Sequence, residues 1–257
     1  MNNINRRRYV LNYRSLIYFC TFLFLIIFSF LIYFNKNYII FISKNLIQNF
    51  SENFQYQFTT FDISGLEKIE SKFVEDKVQK YIESSIFLLP LDQIKNSIKE
   101  NNWVKEIYLN TNYKDTLFIR IEEYMPIGIY YFNDKYFFFD KNGKVIDQTH
   151  IADFYNKSLI IFKGASSNLK AKSIINILKN NDFKKKYEIE SLEFINKRRW
   201  NINLHNNVKL LLSEEDPNKS IQNFITIQNK LSETETNNIK TYDLRNAKKT
   251  ILINLND

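Results

Sequence analysis

Residues 103–131 read "WVKEIYLNTNYKDTLFIRIEEYMPIGIYY". Two apolar runs, "IYL" and "LFIRI", flank the polar turn "NTNYKD". In the second run Leu117, Ile119 and Ile121 alternate with Phe118, Arg120 and Glu122, the period-2 pattern of a half-buried strand. The first run is less regular: Val104 is out of step with Ile107 and Leu109, which predicts a bulge or a late strand start. The hairpin ends on Glu122-Glu123, followed by Pro126. Neighbouring strand residues face opposite sides, so this carboxylate pair is not arranged to embrace one substrate. Pro126 offers no N–H and restricts Met125 to extended backbone, so the sheet is interrupted there. The stretch therefore reads as the last hairpin of one module running into the first strand of the next, through a short, stiff joint.

Upstream, "FQYQFTTFDISGL" alternates Phe54, Tyr56 and Phe58 with polar residues and predicts a strand ended by Gly65. "SKFVEDKVQKYI" places Val74, Val78 and Ile82 on one helical face, with Ser71 as N-cap. "LPLDQIKNSIKENN" predicts a second helix with Asp92 as N-cap, Ile94 and Ile98 inward and Asn101-Asn102 as its stop. Strand, helix, helix, strand, strand makes a small α+β module with two helices on one sheet face.

Downstream the pattern is mostly strand: "GIYY", "YFFFD", "KVIDQ", "LIIFKG", "EIESLEFI", "WNINL", "VKLLL", "IKTYDLRN" and "TILINL". "DKNG" predicts a hairpin turn, since Asn-Gly accepts positive φ. A helix over about 167–179 turns Leu169, Ile174, Ile177 and Leu178 inward. A second, capped by Asp216 with Pro217 at its first position, carries Ile221, Phe224, Ile225, Gln228 and Leu231 on one stripe. The class is α+β, the second module mixed but mostly antiparallel, with flanking helices.

Leu16 to Phe34, "LIYFCTFLFLIIFSFLIYF", carries no charge and as a helix spans about 28 Å at ~1.5 Å per residue, matching a ~30 Å hydrocarbon core. Tyr18 and Tyr33 sit where aromatic belts form. Arg6, Arg7, Arg8 and Arg14 precede it, against Lys36 and Lys44 just after it, which keeps the N-terminus cytoplasmic. A cleavable signal peptide has a shorter apolar region and a small-x-small site, which "IYFNKNY" lacks, so the segment reads as an uncleaved anchor. Apolar residues at 38, 39, 42 and 46 continue as an amphipathic helix off the membrane. The expected divisions are a basic cytoplasmic tail over 1–15, the span over 16–34, a juxtamembrane segment over 35–53, and modules over 54–124 and 125–257.

The 257 residues carry a net charge of +8, which alone suits nucleic acid, anionic lipid or another polyanion. The topology puts Lys184-Lys185-Lys186 and Lys197-Arg198-Arg199 outside, away from nucleic acid; a solvated face or attraction to lipid heads or an acidic partner remains. Cys20 is the single cysteine, and His150 and His205 have no partners at metal-ligand spacing, so no metal or disulfide is expected. Four glycines supply no phosphate loop, and no Ser, Cys or Lys has a base beside it, so neither cofactor, small-molecule substrate nor enzyme activity is expected. The last strand has no later element to cover it, leaving a sheet edge for a partner strand.

The run "FDISGLEKIESKFVEDKV…LPLDQIKNSIKENNWVKEIYLNTNYKDTLFIRIEEYMPIGIYY" resembles the POTRA domain of the FtsQ/DivIB cell-division family, of the proteobacterial FtsQ type. The shared features are the Gly-Leu after the first strand, the Trp-Val start of the second, and "TLFIRIEE" followed by a proline. Asp115 stands where the family usually has proline. "YFFFDKNGKVI", "LIIFKG", "KRRWNINLHNNVKLLL" and "YDLR" are similar to the family's β-domain, with Asn207 in place of a turn glycine. The resemblance implies a bitopic inner-membrane protein at the division septum, N-terminus cytoplasmic and the rest periplasmic. It implies a non-enzymatic divisome scaffold that bridges early and late division proteins, meets other membrane proteins of the divisome through the POTRA domain, and binds FtsB and FtsL. The implied contact residues are Arg198, Arg199, Arg245, Asn246, Lys248 and Thr250; Asn246 departs from a tyrosine found in some relatives, and local pairing is the plainer role for Arg245. The alternative, a membrane-anchored POTRA chaperone or secretion adaptor, predicts tandem POTRA repeats or a barrel of alternating strands, and the sequence has neither. An exported hydrolase would need an assembled polar pocket.

Overall fold

The computed structural model describes residues 13–150, 159–246 and 249–254; Arg6, Arg7 and Arg8 of the basic tail and Lys248 lie outside them. Helix α1 (Tyr13–Phe34) contains the apolar stretch Leu16–Phe34, with a mean hydropathy of 2.5 and no buried side, as expected for a span. After Asn35 the chain re-enters helix as α2 (Lys36–Phe54). The predicted strand from Phe54 is corrected here: Phe54 is the last residue of α2, Gln55 turns the chain in the left-handed region (φ 59°), and β1 is Thr60–Ser64. The alternating aromatics serve the helix end instead, Phe50 meeting both Phe54 and Tyr56 with ring centroids 4.7 and 6.0 Å apart.

The chain forms two compact units. One gathers the described residues up to Ser64 with Ser71–Ser97 and Tyr108–Arg120; the other gathers Gly65–Glu70, Ile98–Ile107 and the described residues from Ile121 on. The predicted strand–helix–helix–strand–strand order is found. Helix α3 (Ser71–Val78) buries Val74 and Val78, and α4 (Leu91–Ile98) buries Ile94 and Ile98. Ser71 and Asp92 are already helical, so neither is the cap expected of it; Asp92 instead puts its charge in the first turn, where the helix dipole favours it. Strands β2 (Val104–Thr111) and β3 (Thr116–Glu123) complete a sheet of order β1-β3-β2, with β1 parallel to β3. In β3, Leu117, Ile119 and Ile121 are buried while Phe118 and Arg120 are exposed, as the alternation requires. β2 does not start late: Val104 and Ile107 are both buried, three residues apart.

The second unit holds a nine-stranded sheet. Its strands are β4 (Gly128–Phe132), β5 (Lys135–Phe139), β6 (Val145–Thr149), β7 (Ile161–Lys163), β8 (Ile189–Ile195), β9 (Arg199–Leu204), β10 (Lys209–Leu212), β11 (Ile239–Asn246) and β12 (Lys249–Asn254). Their spatial order is β12-β11-β10-β9-β8-β7-β4-β5-β6. β4–β7, β7–β8 and β10–β11 are parallel; the other neighbours are antiparallel. A parallel neighbour needs a long crossover. Helices α5 (Ser167–Asn180) and α6 (Phe183–Lys186) supply it between β7 and β8. Helices α7 (Pro217–Gln228) and α8 (Glu233–Asn238) supply it between β10 and β11. Both crossovers contribute to one core: Ala171, Ile174, Leu178, Ile221 and Phe224 pack with Phe162, Leu192, Trp200, Ile202, Leu210 and Tyr242. The helices thus cover one sheet face, and the row Glu193, Asn201 and Asp243 lies on the other.

Asp216 caps α7 as expected, accepting from the Lys219 N–H at 2.9 Å. Asn207 takes the predicted left-handed turn (φ 62°). The inward position expected of Leu169 is corrected: it is 60 % exposed, and Asn168 turns in to donate to the Gly143 carbonyl at 2.7 Å. That contact also fixes "DKNG". Gly143 has φ +81°, and a Cβ there would lie 2.8 Å from the Asn168 oxygen. The turn is closed by Gly143 N–H to Asp140 O and by Asp140 N–H to Lys144 O, a type I turn with a glycine bulge.

Candidate partner-binding site

The carboxylates of the opening stretch are engaged in structure. Glu123 accepts the backbone N–H groups of Glu67, Lys68 and Ile69 at 2.9, 2.8 and 3.0 Å. Glu122 pairs with Lys105 at 3.0 Å. Trp103 packs beside Ile129, Phe138 and Ile146 and donates its indole N–H to Asp147 at 3.2 Å. The Tyr124 N–H returns to the Trp103 carbonyl and the Ile127 N–H reaches Phe139, so only Met125 and Pro126 separate the two ladders. Among the described residues no group of three or more His, Cys, Asp or Glu is placed to hold a metal.

The candidate site is built from strand alternation at the other end of the large sheet. Asn196 and Lys197, with φ of 50° and 56°, make the tight turn between β8 and β9 and deliver "RRW" onto β9. Trp200 enters the core, its ring 4.6 Å from Phe194 and 5.9 Å from Phe162. Arg199, one residue earlier, is therefore turned to the face opposite the helices. β11 repeats the device. Tyr242 and Leu244 are buried against the helices, the Tyr242 hydroxyl accepting from Gln228 at 2.6 Å, while Asp243 and Arg245 face the other way. β12 is the outermost strand, antiparallel to β11, with Ile251 opposite Asp243 and Lys249 opposite Asn246. Its Ile251, Leu252 and Ile253 are all more than a third exposed.

These elements frame a cleft of about 750 Å³. Arg198, Arg199, Arg245 and Asn246 line it, together with Lys249, Ile251, Glu214, Glu215 and Asp243. Thr250 sits on β12, half-buried and outside the lining. Arg245 Nε donates to both oxygens of Asp243 at 2.8 and 3.0 Å, the local pairing that was its plainer role, yet its side chain stays half exposed. Arg198 lies 3.6 Å from Glu214, both exposed. One terminal nitrogen of Arg199, Nη1, is buried without a hydrogen-bond partner among the described residues. Lys249, Ile251, Glu214 and Glu215 were not expected at the site. The two glutamates precede α7 in sequence, and only the parallel β10–β11 pairing brings them beside Asp243.

Arg245 holds the Asp243 carboxyl below the usual carboxylate range, against the opposing effect of burial, with a smaller pull from Arg199. A lowered native pKa means stability present in full above the unfolded value of about 3.9 and lost as pH falls through the native one. Acid unfolding followed between pH 5 and 2 is therefore expected to show a smaller loss of stability over that window in Asp243→Asn than in the unmodified chain.

Chemically, the site offers the outermost strand of the sheet among the described residues, an apolar strip on that strand and guanidinium groups beside it, which suits an extended peptide carrying carboxylates. Comparison with known proteins adds two family matches. Residues 57–124 match the POTRA domain of FtsQ type, and residues 129–245 match the C-terminal domain of cell division protein FtsQ/DivIB. The chain is 28% identical over 187 residues to cell division protein FtsQ of Rickettsia typhi, covering 73% of this chain and 68% of that one. It is also 28% identical over 192 residues to the FtsQ of Rickettsia bellii, with the same coverage.

Proposed function

We propose, for a chain that belongs to the FtsQ/DivIB family of cell division proteins, a role as a non-enzymatic divisome scaffold that captures FtsB on the free edge of β12, with FtsL alongside. In this reading Leu16–Phe34 anchors the protein in the inner membrane, the N-terminus is cytoplasmic, and both modules work in the periplasm at the septum. The POTRA domain, over 54–124, meets other divisome membrane proteins, and the β-domain, over 125–257, holds FtsB, so that early and late division proteins are bridged. The observation that carries it is the position of β12. It is the outermost described strand of a large sheet, apolar and exposed, beside a cleft lined by Arg198, Arg199, Arg245 and Asn246. Thr250 belongs to the same proposed contact through the edge itself, and Lys248, outside the described residues, is counted with it from the family resemblance alone.

Backbone pairing supplies affinity in strand addition, while flanking charges set register and specificity. Asn246→Glu and Lys249→Glu place acid beside the edge without touching the core. Each is expected to weaken co-purification of FtsB on the order of tenfold, about 1.4 kcal/mol. Unchanged capture by both would remove this edge as the binding site. Depletion of the protein is expected to give filamentous cells; normal septation on full depletion would remove the divisome role itself.

A further inference from the structure

Helix α2 is held at one end and bare at the other. Its last turns lock onto the chain that follows. Ser51 is fully buried and shares a 2.6 Å hydroxyl hydrogen bond with Ser85, and the Gln48 side-chain oxygen accepts the Ser85 N–H at 2.8 Å. Its first turns, Tyr38, Ile39, Ile40, Phe41 and Ile42, are 65, 41, 41, 61 and 39 % exposed. Consecutive helical residues step by about 100° around the axis, so five apolar residues in a row leave no polar side. A partner helix covers one stripe, roughly 100° wide. Only an apolar medium covers the whole circumference, as it does for a membrane span.

That medium is close by. Only Asn35, Lys36 and Asn37 separate these residues from the span. Asn35 is satisfied inside the helix, its side-chain amide donating to the Leu31 carbonyl at 2.9 Å. Lys36 has a stem long enough to carry its charge to the headgroups. From Leu16 to Ile42 a helix measures about 40 Å at ~1.5 Å per residue, more than a ~30 Å hydrocarbon core accepts upright. The backbone departs from helical geometry between the two segments, at Asn35 (φ −99°, ψ 13°), where the path can bend.

We propose that Tyr38–Ile42 lies in lipid, at the boundary between acyl chains and headgroups, so that the membrane contact of this protein extends past Phe34 into α2. The Gln48–Ser51 lock then holds the next segment about 14 Å along the helix from Ile42 at ~1.5 Å per residue. This rests on the single-pass anchoring proposed above, and Cys20, the single cysteine and within the span, is a built-in reference for that anchoring.

The test uses the full chain, spin-labelled at one cysteine and reconstituted in phosphatidylethanolamine–phosphatidylglycerol vesicles. Cys20 is the reference in lipid. On a Cys20→Ser background, Ile39→Cys and Phe41→Cys probe nearly opposite sides of the helix, and Asn53→Cys, exposed at the far end of α2, is the reference in water. Labels at 39 and 41 are both expected to collide readily with oxygen and several-fold less than the label at 53 with a water-soluble nickel chelate. If either label meets the chelate as freely as the label at 53, or if either is shielded from both reagents as a protein contact would shield it, the proposal is overturned while the anchoring stands. If Cys20 itself meets the chelate freely, the anchoring falls and this proposal with it.

Discussion

Replacing Glu123 by alanine is expected to lower the unfolding free energy by about 3 kcal/mol. The carboxylate accepts three backbone N–H groups, from Glu67, Lys68 and Ile69, at 2.8–3.0 Å. Glu67 and Lys68 are exposed, so water replaces much of what their amides lose; Ile69 is buried at 6 % exposure and its N–H is left without a partner. The estimate therefore stays near the cost of one buried donor plus the charge-assisted component, well short of three full bonds. Glu122→Ala is the control. Its pair with Lys105 is 3.0 Å long but lies between side chains that are 43 and 52 % exposed, and its loss is expected to cost at most about 0.5 kcal/mol. Denaturant unfolding of the full chain in detergent separates the two, and equal midpoints for both variants would contradict the roles assigned here. Glu123→Gln keeps one acceptor oxygen and is expected to fall between them.

The pair also shows what local sequence pattern can and cannot carry. Alternation correctly separated Glu122 from Glu123, because a strand forces neighbours apart. It gave no sign that Glu123 would meet residues 67–69, since that contact joins segments more than fifty residues apart. The same limit explains the other corrections. The spacing of Phe54, Tyr56 and Phe58 fits a strand, but Phe50 lies one helical turn before Phe54 and draws it into α2, and the left-handed stop falls on Gln55, where neither glycine nor asparagine marks it. Leu169 fits the inward stripe of α5, yet Asn168 displaces it because a carbonyl of the Gly143 turn waits there. Where two local features coincide, as at Asp216-Pro217 or in β3, the expected structure is found. At the site, "RRW" and "YDLR" were legible only as a family resemblance, and the burial of Trp200, Tyr242 and Leu244 is what turns Arg199 and Arg245 to the other face. The pairing order that sets β9, β10, β11 and β12 side by side, and so gathers Lys249, Glu214 and Glu215 around those arginines, is a property of the assembled sheet.

Trp200→Ala is expected to be the most damaging single change at the site, costing about 4 kcal/mol, although the side chain never reaches the cleft. Trp200 is 6 % exposed and packs against Phe194 and Phe162, so truncation opens a large cavity under β9. The functional consequence follows from alternation. Arg199 is aimed at the cleft because its neighbour is pinned in the core, and a loosened β9 no longer fixes that guanidinium beside Asp243. Trp200→Phe keeps the aromatic contact with Phe194 and is expected to cost about 1–2 kcal/mol. If the tryptophan acts by positioning, Trp200→Phe retains FtsB capture, whereas Trp200→Ala loses it at a temperature where circular dichroism still reports a folded chain. Full capture by folded Trp200→Ala would mean that Arg199 needs no support from the core, and the backbone edge of β12 would then be the dominant contact.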